Sequence, residues 1–323
     1  MTSTLTALLA LCLVAAPLGA EAQAKVYRIG VLDTSSMARN AVNMDAFRQG
    51  LRALGYVEGQ HFVIEYRAPR SRATEFPDLA HDLVRAKVDV ILTRGTAAVV
   101  AAKNATRTIP IVMAASGDPV GTKVVAGLAR PGGNVTGLTT LSAEVSAKRL
   151  QLLKEAIPAI QRVATLIDMD SGLVTLWQTT EQSARAMGLH TQLLDVRKAE
   201  DLGPAFEAAV KQRAHAIVAS QGTVLQNNRG RIVELAARHR LPAIYPSREF
   251  MDAGGFMAYG AVIPDLYRRA ATYVDKIFKG AQAGDLPIEQ PTKFEFLVNL
   301  KTAAALGLTV PQAVLLRADE VIH

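Results

Sequence analysis

The chain has 323 residues, half of them apolar, and a formal net charge of +7 at pH 7. That is length for roughly two domains of about 150 residues each, and an ordinary charged fraction excludes a disordered chain. Cys12 is the only cysteine, so no disulfide framework is available.

Residues 1–24 carry no Lys or Arg and a single acid, Glu21. Leu5 to Val14 is an apolar run, followed by Pro17, Gly19 and the small-residue patterns Ala20-Glu-Ala22 and Ala22-Gln-Ala24. A short apolar core before an A-x-A site is the pattern of a secretory signal peptide, and it is too short for a membrane span. The basic residues that usually open such a leader are missing. The expectation is export through a signal peptide over 1–24, giving a periplasmic protein. Leu11 before Cys12 does not suit a lipoprotein site. Removing 1–24 takes away Glu21 alone, so the charge rises from +7 to +8. Arg67, Arg70 and Arg72 beside Tyr66 form the tightest basic cluster, which reads as a solvated loop face and not a nucleic-acid patch.

The remainder alternates strands and helices. Tyr27 to Leu32 is an apolar run ending in Asp33-Thr-Ser-Ser36. A helix with Ala46, Phe47, Gly50, Leu51 and Leu54 on one face stops at Gly55. His61 to Tyr66 predicts a strand, 76–86 a helix, 88–93 a buried strand closed by Arg94-Gly-Thr96, and 97–105 a helix. A strand over 109–114 ends in Ala115-Ser-Gly-Asp-Pro119. A short helix over 120–129, the Pro131-Gly-Gly133 turn and Asn134-Val-Thr-Gly137 follow. This glycine- and proline-rich stretch has almost no chemistry and suits a crossover at a hinge.

The pattern then restarts. Helices are expected over 142–156, 173–187, 199–213 and 224–239, and strands over 162–167, 190–196, 216–219, 242–245 and 254–259. Two β-α-β-α runs imply an α/β protein of two doubly wound, Rossmann-like lobes with parallel sheets and helices on both faces. Ligands of such sheets sit outside the carboxyl ends of the strands. Polar residues gather there: Asp33-Thr34-Ser35, Gly95-Thr96, Ser116 and Asp118, Asp170-Ser171, Ser220-Gln221 and Tyr245. Each hydroxyl alone reads as a helix cap; six strand ends together read as a cleft.

Catalytic signatures are absent. The sequence has no P-loop, no dinucleotide-binding glycine motif after the first strand, no H-E-x-x-H and no G-x-S-x-G elbow. Six scattered histidines show no paired spacing, so neither metal nor cofactor is expected. Binding is favoured over catalysis.

Several long stretches carry a resemblance. Ser116-Gly-Asp-Pro-Val120 leads into Gly127-Leu-Ala-Arg-Pro-Gly-Gly-Asn-Val-Thr-Gly137, then Lys148-Arg-Leu-Gln-Leu-Leu-Lys-Glu155. Gly254-Gly-Phe-Met-Ala-Tyr-Gly260 precedes Tyr267-Arg-Arg-Ala-Ala-Thr-Tyr-Val-Asp-Lys-Ile277, and Leu286-Pro-Ile-Glu-Gln-Pro-Thr-Lys-Phe-Glu-Phe296 precedes Asn299-Leu-Lys-Thr-Ala-Ala-Ala-Leu-Gly-Leu308 and Leu316-Arg-Ala-Asp-Glu320. Together they resemble the ABC transporter substrate-binding protein family that includes tryptophan/tyrosine-binding (TrpX-type) receptors. The resemblance implies a type I periplasmic-binding-protein fold, joined by three crossovers, that traps a small molecule by hinge closure. It implies 25–137 with 261–289 as one lobe and 138–260 with 290–323 as the other. The partner would be an ABC permease in the inner membrane, and the receptor a monomer.

For a zwitterionic ligand, Thr34, Ser35, Gly95, Thr96 and Ser116 are the expected donors, with Gly137, Ser171 and Gln221 also at the cleft. Asp33, Asp118 or Asp170 would accept from an ammonium, although Asp118 before Pro119 reads equally as a helix cap. Tyr245 and Tyr259 would stack on the ligand, or else belong to the core. Trp177 reads as packing or as a cleft wall, and Arg94 and Arg248 leave a more acidic ligand open. Three rival readings stand beside this one: a regulator with the same core, which would need a DNA-binding element before the first lobe; an enzyme using the cleft; and a sensor feeding a membrane signalling partner.

Overall fold

The computed structural model describes residues 25–323; the leader expected over 1–24 lies outside the described residues. In chain order, β1 (Tyr27–Leu32), α1 (Ala41–Ala53), β2 (Phe62–Arg67), α2 (Phe76–Arg85), β3 (Val90–Arg94), α3 (Thr96–Ala105), β4 (Ile111–Ser116) and β5 (Val135–Thr139) build the first lobe. Its strands pair in parallel in the order β2-β1-β3-β4-β5. Strands β3 and β4 are buried at every position. Helices cover both faces of the sheet, so these strands read as unbroken apolar runs instead of alternating ones.

The second lobe repeats the plan with α4 (Ser142–Ala156), β6 (Arg162–Ile167), α5 (Val174–Ala186), β7 (His190–Asp195), α6 (Leu202–Lys211), β8 (Ala216–Ala219), α7 (Thr223–Asn227), α8 (Arg229–Arg238), β9 (Ala243–Tyr245), α9 (Arg248–Met251) and β10 (Met257–Ala261). The chain then returns to the first lobe as α10 (Ile263–Phe278). Ile263, Leu266, Tyr267, Ala270, Ala271 and Val274 recur at helical spacing, are buried, and join the core that α1 forms with β1, β3 and β4. A last segment crosses back as β11 (Phe294–Asn299), α11 (Leu300–Ala305), α12 (Gln312–Leu315) and β12 (Glu320–Ile322). The second sheet runs β12-β11-β10-β9-β8-β6-β7.

Three segments differ from the sequence expectation. Strand β11 is antiparallel to β10, so the second sheet is mixed at that edge. The helix expected over 120–129 is a chain of turns: Asp118 Oδ1 accepts from the Gly121 amide at 2.8 Å, and the Pro119 carbonyl accepts from Val124 at 3.0 Å. Asp118 therefore closes a turn and caps no helix. Local turn chemistry from Asp118, Pro119 and Gly121 outweighs the apolar spacing there. The single helix expected over 224–239 is broken at Asn228, giving α7 and α8.

Three connections join the lobes: the link from β5 to α4, the link from β10 to α10, and the segment before β11. The third runs beside the first, since Thr139 N donates to Glu289 O at 3.0 Å and Glu289 N to Gly137 O at 2.9 Å.

Candidate ligand-binding site

The carboxyl ends of the two sheets face one another across a narrow cleft. From the first lobe it is walled by Thr34, Arg94, Gly95, Thr96, Ala97, Ala115 and Gly117; from the second by Ser171, Leu173, Gln221, Gly222, Thr223, Gln226 and Ser247; Ile263 closes it at a crossover.

On the first lobe the cleft meets the start of α3. Gly95 precedes that helix with φ +88°, and a Cβ there would lie 2.7 Å from Thr34 Cγ2, so glycine is required by both conformation and space. The first-turn amides of α3 have no intrahelical acceptor, and the helix end carries partial positive charge. Thr96 Oγ1 is buried with no hydrogen-bond partner, as are Ser35 Oγ and Ser116 Oγ. Buried polar atoms are rarely left unpaired, and of these three Thr96 lines the cleft itself.

The second lobe is arranged differently. Asp168 follows β6 directly and is fully buried. Its Oδ2 accepts from Ser171 Oγ at 2.7 Å and from the Val224 amide at 3.1 Å, while Oδ1 has no partner. Burial pushes this carboxyl above its ordinary value, against the two hydrogen bonds. Ser171 Oγ also accepts from the Thr223 amide at 3.2 Å, so the start of α7 is already capped. Thr223 Oγ1 is buried and unpartnered. The second lobe thus presents the Thr223 hydroxyl, with the Asp168 carboxyl buried behind it, opposite an open helix start on the first.

An ion pair links the lobes beside the cleft. Arg94 Nη2 donates to Glu249 Oε2 at 3.0 Å and Oε1 at 3.1 Å, and Arg94 Nη1 to Asn40 Oδ1 at 3.0 Å. Ser247 Oγ donates to Glu249 at 3.0 Å, Asn43 at 3.3 Å, and Gln226 also donates. Burial opposes both charges, but each holds the other ionised: Glu249 lies below its ordinary value and Arg94 above. Asn227 Nδ2 to Thr34 O at 2.9 Å and Arg39 Nη1 to Asn227 O at 2.7 Å add further bonds between the lobes.

Of the residues chosen from sequence, Thr34, Gly95, Thr96, Ser171 and Gln221 line the cleft. Ser35 and Ser116 lie buried at strand ends beside it. Asp33 is fully buried and engaged: it accepts from Asn40 Nδ2 at 2.8 Å, from the Ser35 amide at 3.0 Å and from the Tyr267 hydroxyl, and burial raises its carboxyl. Asp170 pairs with Arg197 at 3.2 Å, away from the cleft lining. Gly137 pairs with Met113 inside the first sheet. Tyr245 is core, stacked on Phe250 at 4.9 Å, and Tyr259 stacks on Phe294 at 5.9 Å; neither lines the cleft. Trp177 packs among Ile167, Leu173 and Leu176. Arg248 pairs with Glu295 and Glu320.

Asp168, Thr223, Gln226 and Glu249 were missed. Asp168 is the first residue after its strand, so the strand-end rule itself selects it ahead of Asp170. Glu249 sits on the four-residue α9, too short to leave a periodic signal.

Two lobes of this topology, joined by three connections around a polar cleft, define a type I periplasmic-binding-protein fold. Solved structures of the same architecture include a conserved domain protein from Vibrio cholerae o1 biovar eltor (26% identity, covering 92% of this chain and 100% of that one, TM-score 0.86) and an ABC domain in complex with L-Trp from Streptococcus pneumonia (23% identity, 92% and 100%, TM-score 0.84). The sequence profile of the ABC transporter substrate binding protein family matches residues 29–322, and the chain belongs to that family. A tyrosine-binding protein of Clostridioides difficile (strain R20291) is 23% identical over 265 residues, 81% of this chain and 75% of that one. Among the described residues no helix is long and apolar enough to cross a membrane.

Proposed function

We propose that this protein is the extracytoplasmic receptor of an ABC importer, and that it traps a zwitterionic amino acid between its lobes and delivers it to a permease without chemical change. The observation that carries the reading is the pairing of unsatisfied groups across the cleft. Thr96 Oγ1 at the open start of α3 and Thr223 Oγ1 line opposite walls of the cleft, and Asp168, with Oδ1 unpartnered, is buried behind Gly222 on the second wall. A carboxylate suits the first wall, where helix amides and hydroxyls donate. An ammonium suits the second, where the Thr223 hydroxyl accepts and the Asp168 carboxyl lies buried behind it. A zwitterion satisfies both walls at once, and only when the lobes are together, so it shifts the balance toward the closed form.

Ala97, Leu173 and Ile263 give the same cleft an apolar flank for the side chain. The C. difficile tyrosine-binding protein and the L-Trp-bound structure make aromatic amino acids the first ligands to test. The test is a thermal-shift and calorimetry screen of the purified protein against the amino acids, with recovery of the bound compound. A ligand at a hundred times its Kd stabilises by about 2.7 kcal/mol. Binding of an amino acid recovered unchanged is expected. Binding only of sugars or other neutral molecules, or turnover of the bound compound, would overturn the reading.

A further inference from the structure

A second chamber lies on the other side of the Arg94–Glu249 pair, with a volume of about 610 Å³. That is within the range of small-molecule sites. It is composite. Arg39 and Val42 reach it from the first lobe, Arg229, Asp252 and Ala253 from the second, and Val262 to Pro264 floor it at a crossover. It adjoins the cleft, with Ser247 and Ile263 bordering both, but the wall between them is saturated. Both oxygens of Glu249 are taken by Arg94 and by Asn43, Ser247 and Gln226. A ligand tail passing from the cleft would have to break that buried pair.

Counting the ion-pair partners Arg94 and Glu320, four arginines and four acids border the chamber, so their charges sum to zero, but they are unevenly paired. Glu249 is spent on Arg94, and Arg248 on Glu295 and Glu320. Arg39 donates to Asn227 O, and Arg229 to Gln226 O at 3.1 Å; neither guanidinium pairs with a carboxylate among the described residues. Asp252 is exposed at the rim without a basic partner, and Glu295 and Glu320 share the single charge of Arg248. A guanidinium carries five N–H donors, so most of those on Arg39 and Arg229 are unspent. The starts of α1, α8 and α10 border the same space and add positive potential, partly offset by the carbonyl ends of the short α7 and α9 at Asn227 and Asp252. Below the cations the surface is apolar: Val42, which is 71% exposed, with Ala253, Val262, Ile263 and Pro264.

We infer that this chamber is a second binding site, for a small amphipathic monocarboxylate whose carboxylate meets Arg39 and Arg229 and whose apolar body rests on Val262 to Pro264. Both lobes wall the chamber, so an occupant favours the closed form without entering the cleft. The inference goes beyond the proposed function and borrows from it only the closing motion.

The probe is 4-fluorobenzoate, followed by fluorine NMR on the purified protein, with amino-acid binding measured in parallel. Saturable line broadening is expected. Arg229→Gln, which touches one lobe only, should weaken the probe roughly tenfold, the worth of one charge-assisted contact. Arg39→Gln should weaken it at least as much, because it also removes a bond between the lobes. Thr96→Val in the cleft should leave the probe's affinity unchanged while lowering that for the amino acid. Loss of the probe in Thr96→Val with no change in Arg229→Gln would place the anion at the start of α3 and overturn the inference. So would no broadening at about 10 mM probe. Failure of amino-acid binding alone would count against the proposed function and leave this site standing.

Discussion

Arg94 and Glu249 come from different lobes and are 3.0 Å apart, with side chains 9% and 21% exposed. Each would be a buried, unpaired charge if the other were removed while the lobes stayed together. Breaking a buried pair by deleting one partner costs about 3–5 kcal/mol, because the survivor is left desolvated. Here the molecule has a cheaper escape, which is to open and rehydrate Arg94. Glu249→Ala should therefore act mainly on the open–closed balance. The apparent Kd for the trapped ligand should rise by roughly tenfold to a hundredfold, in proportion to the lost closed fraction. Small-angle scattering should show a larger radius of gyration. An unchanged Kd would mean that the pair does not couple to closure.

The same pair gives a pH dependence. Glu249 sits below its ordinary value in the structure, where burial is outweighed by the charge of Arg94. The stabilisation it gives is present above the ordinary glutamate range and is lost as pH falls through the lowered value. Asp33 has the opposite sign: burial raises it, so acid relieves an unfavourable charge. Scattering measured from neutral to acid pH should show the lobes parting in the wild type. Glu249→Gln should be parted at neutral pH and insensitive below it. A wild type that stays closed in acid would contradict this.

Thr96 and Thr223 have hydroxyls with no partner in the protein. Removing such an oxygen leaves no orphan behind and takes away a desolvated polar atom, so the fold loses nothing. A ligand that uses the hydroxyl loses a hydrogen bond. Thr96→Val and Thr223→Val should each keep or slightly raise the melting temperature of the free protein. Each should weaken ligand binding by about 1–2 kcal/mol, or roughly fivefold to thirtyfold. Calorimetry and a thermal melt together decide it, since a structural role would lower the melting temperature instead.

Much of this architecture was legible because strands β3, β4, β6 and β8 are buried on both faces and stand out as apolar runs bounded by turns. Strand β11, with Glu295 inside it, and the three-residue β12 carry no such pattern, and both were missed. The cleft was legible as a row of strand ends, which is topology. Which acid faces it was not. Asp33, Asp168 and Asp170 all follow strands, but Tyr267 and Asn40 occupy the first, Arg197 draws the third outward, and only Asp168 keeps a buried oxygen without a partner. Those partners lie as far away in sequence as Tyr267 from Asp33, so no local reading ranks the three. Tyr245 and Tyr259 lie outside the cleft lining for a related reason: aromatic neighbours in the second lobe, Phe250 and Phe294, stack on their rings.

The packing of α10 on the first lobe includes one narrow contact. An ideal Cβ on Gly50 of α1 would lie 2.6 Å from the Arg268 carbonyl oxygen and 2.8 Å from Ala271 Cβ. The carbonyl belongs to the backbone of α10 and has no rotamer to yield, so Gly50→Ala must push the helices apart. Overpacking of this kind costs about 1–3 kcal/mol, and the rigid neighbour argues for the upper end. Alanine in a helix interior recovers about 1 kcal/mol over glycine, leaving a net loss of about 2 kcal/mol. Gly203 in α6 provides the control, since a Cβ there meets nothing within 4 Å. Gly203→Ala should stabilise by a few tenths to about 1 kcal/mol. Urea unfolding followed by circular dichroism reads both changes. A lower midpoint for Gly50→Ala beside a raised one for Gly203→Ala is the expected pair. Two raised midpoints would show that α1 and α10 pack more loosely than this contact requires, and that the first lobe does not depend on their close approach.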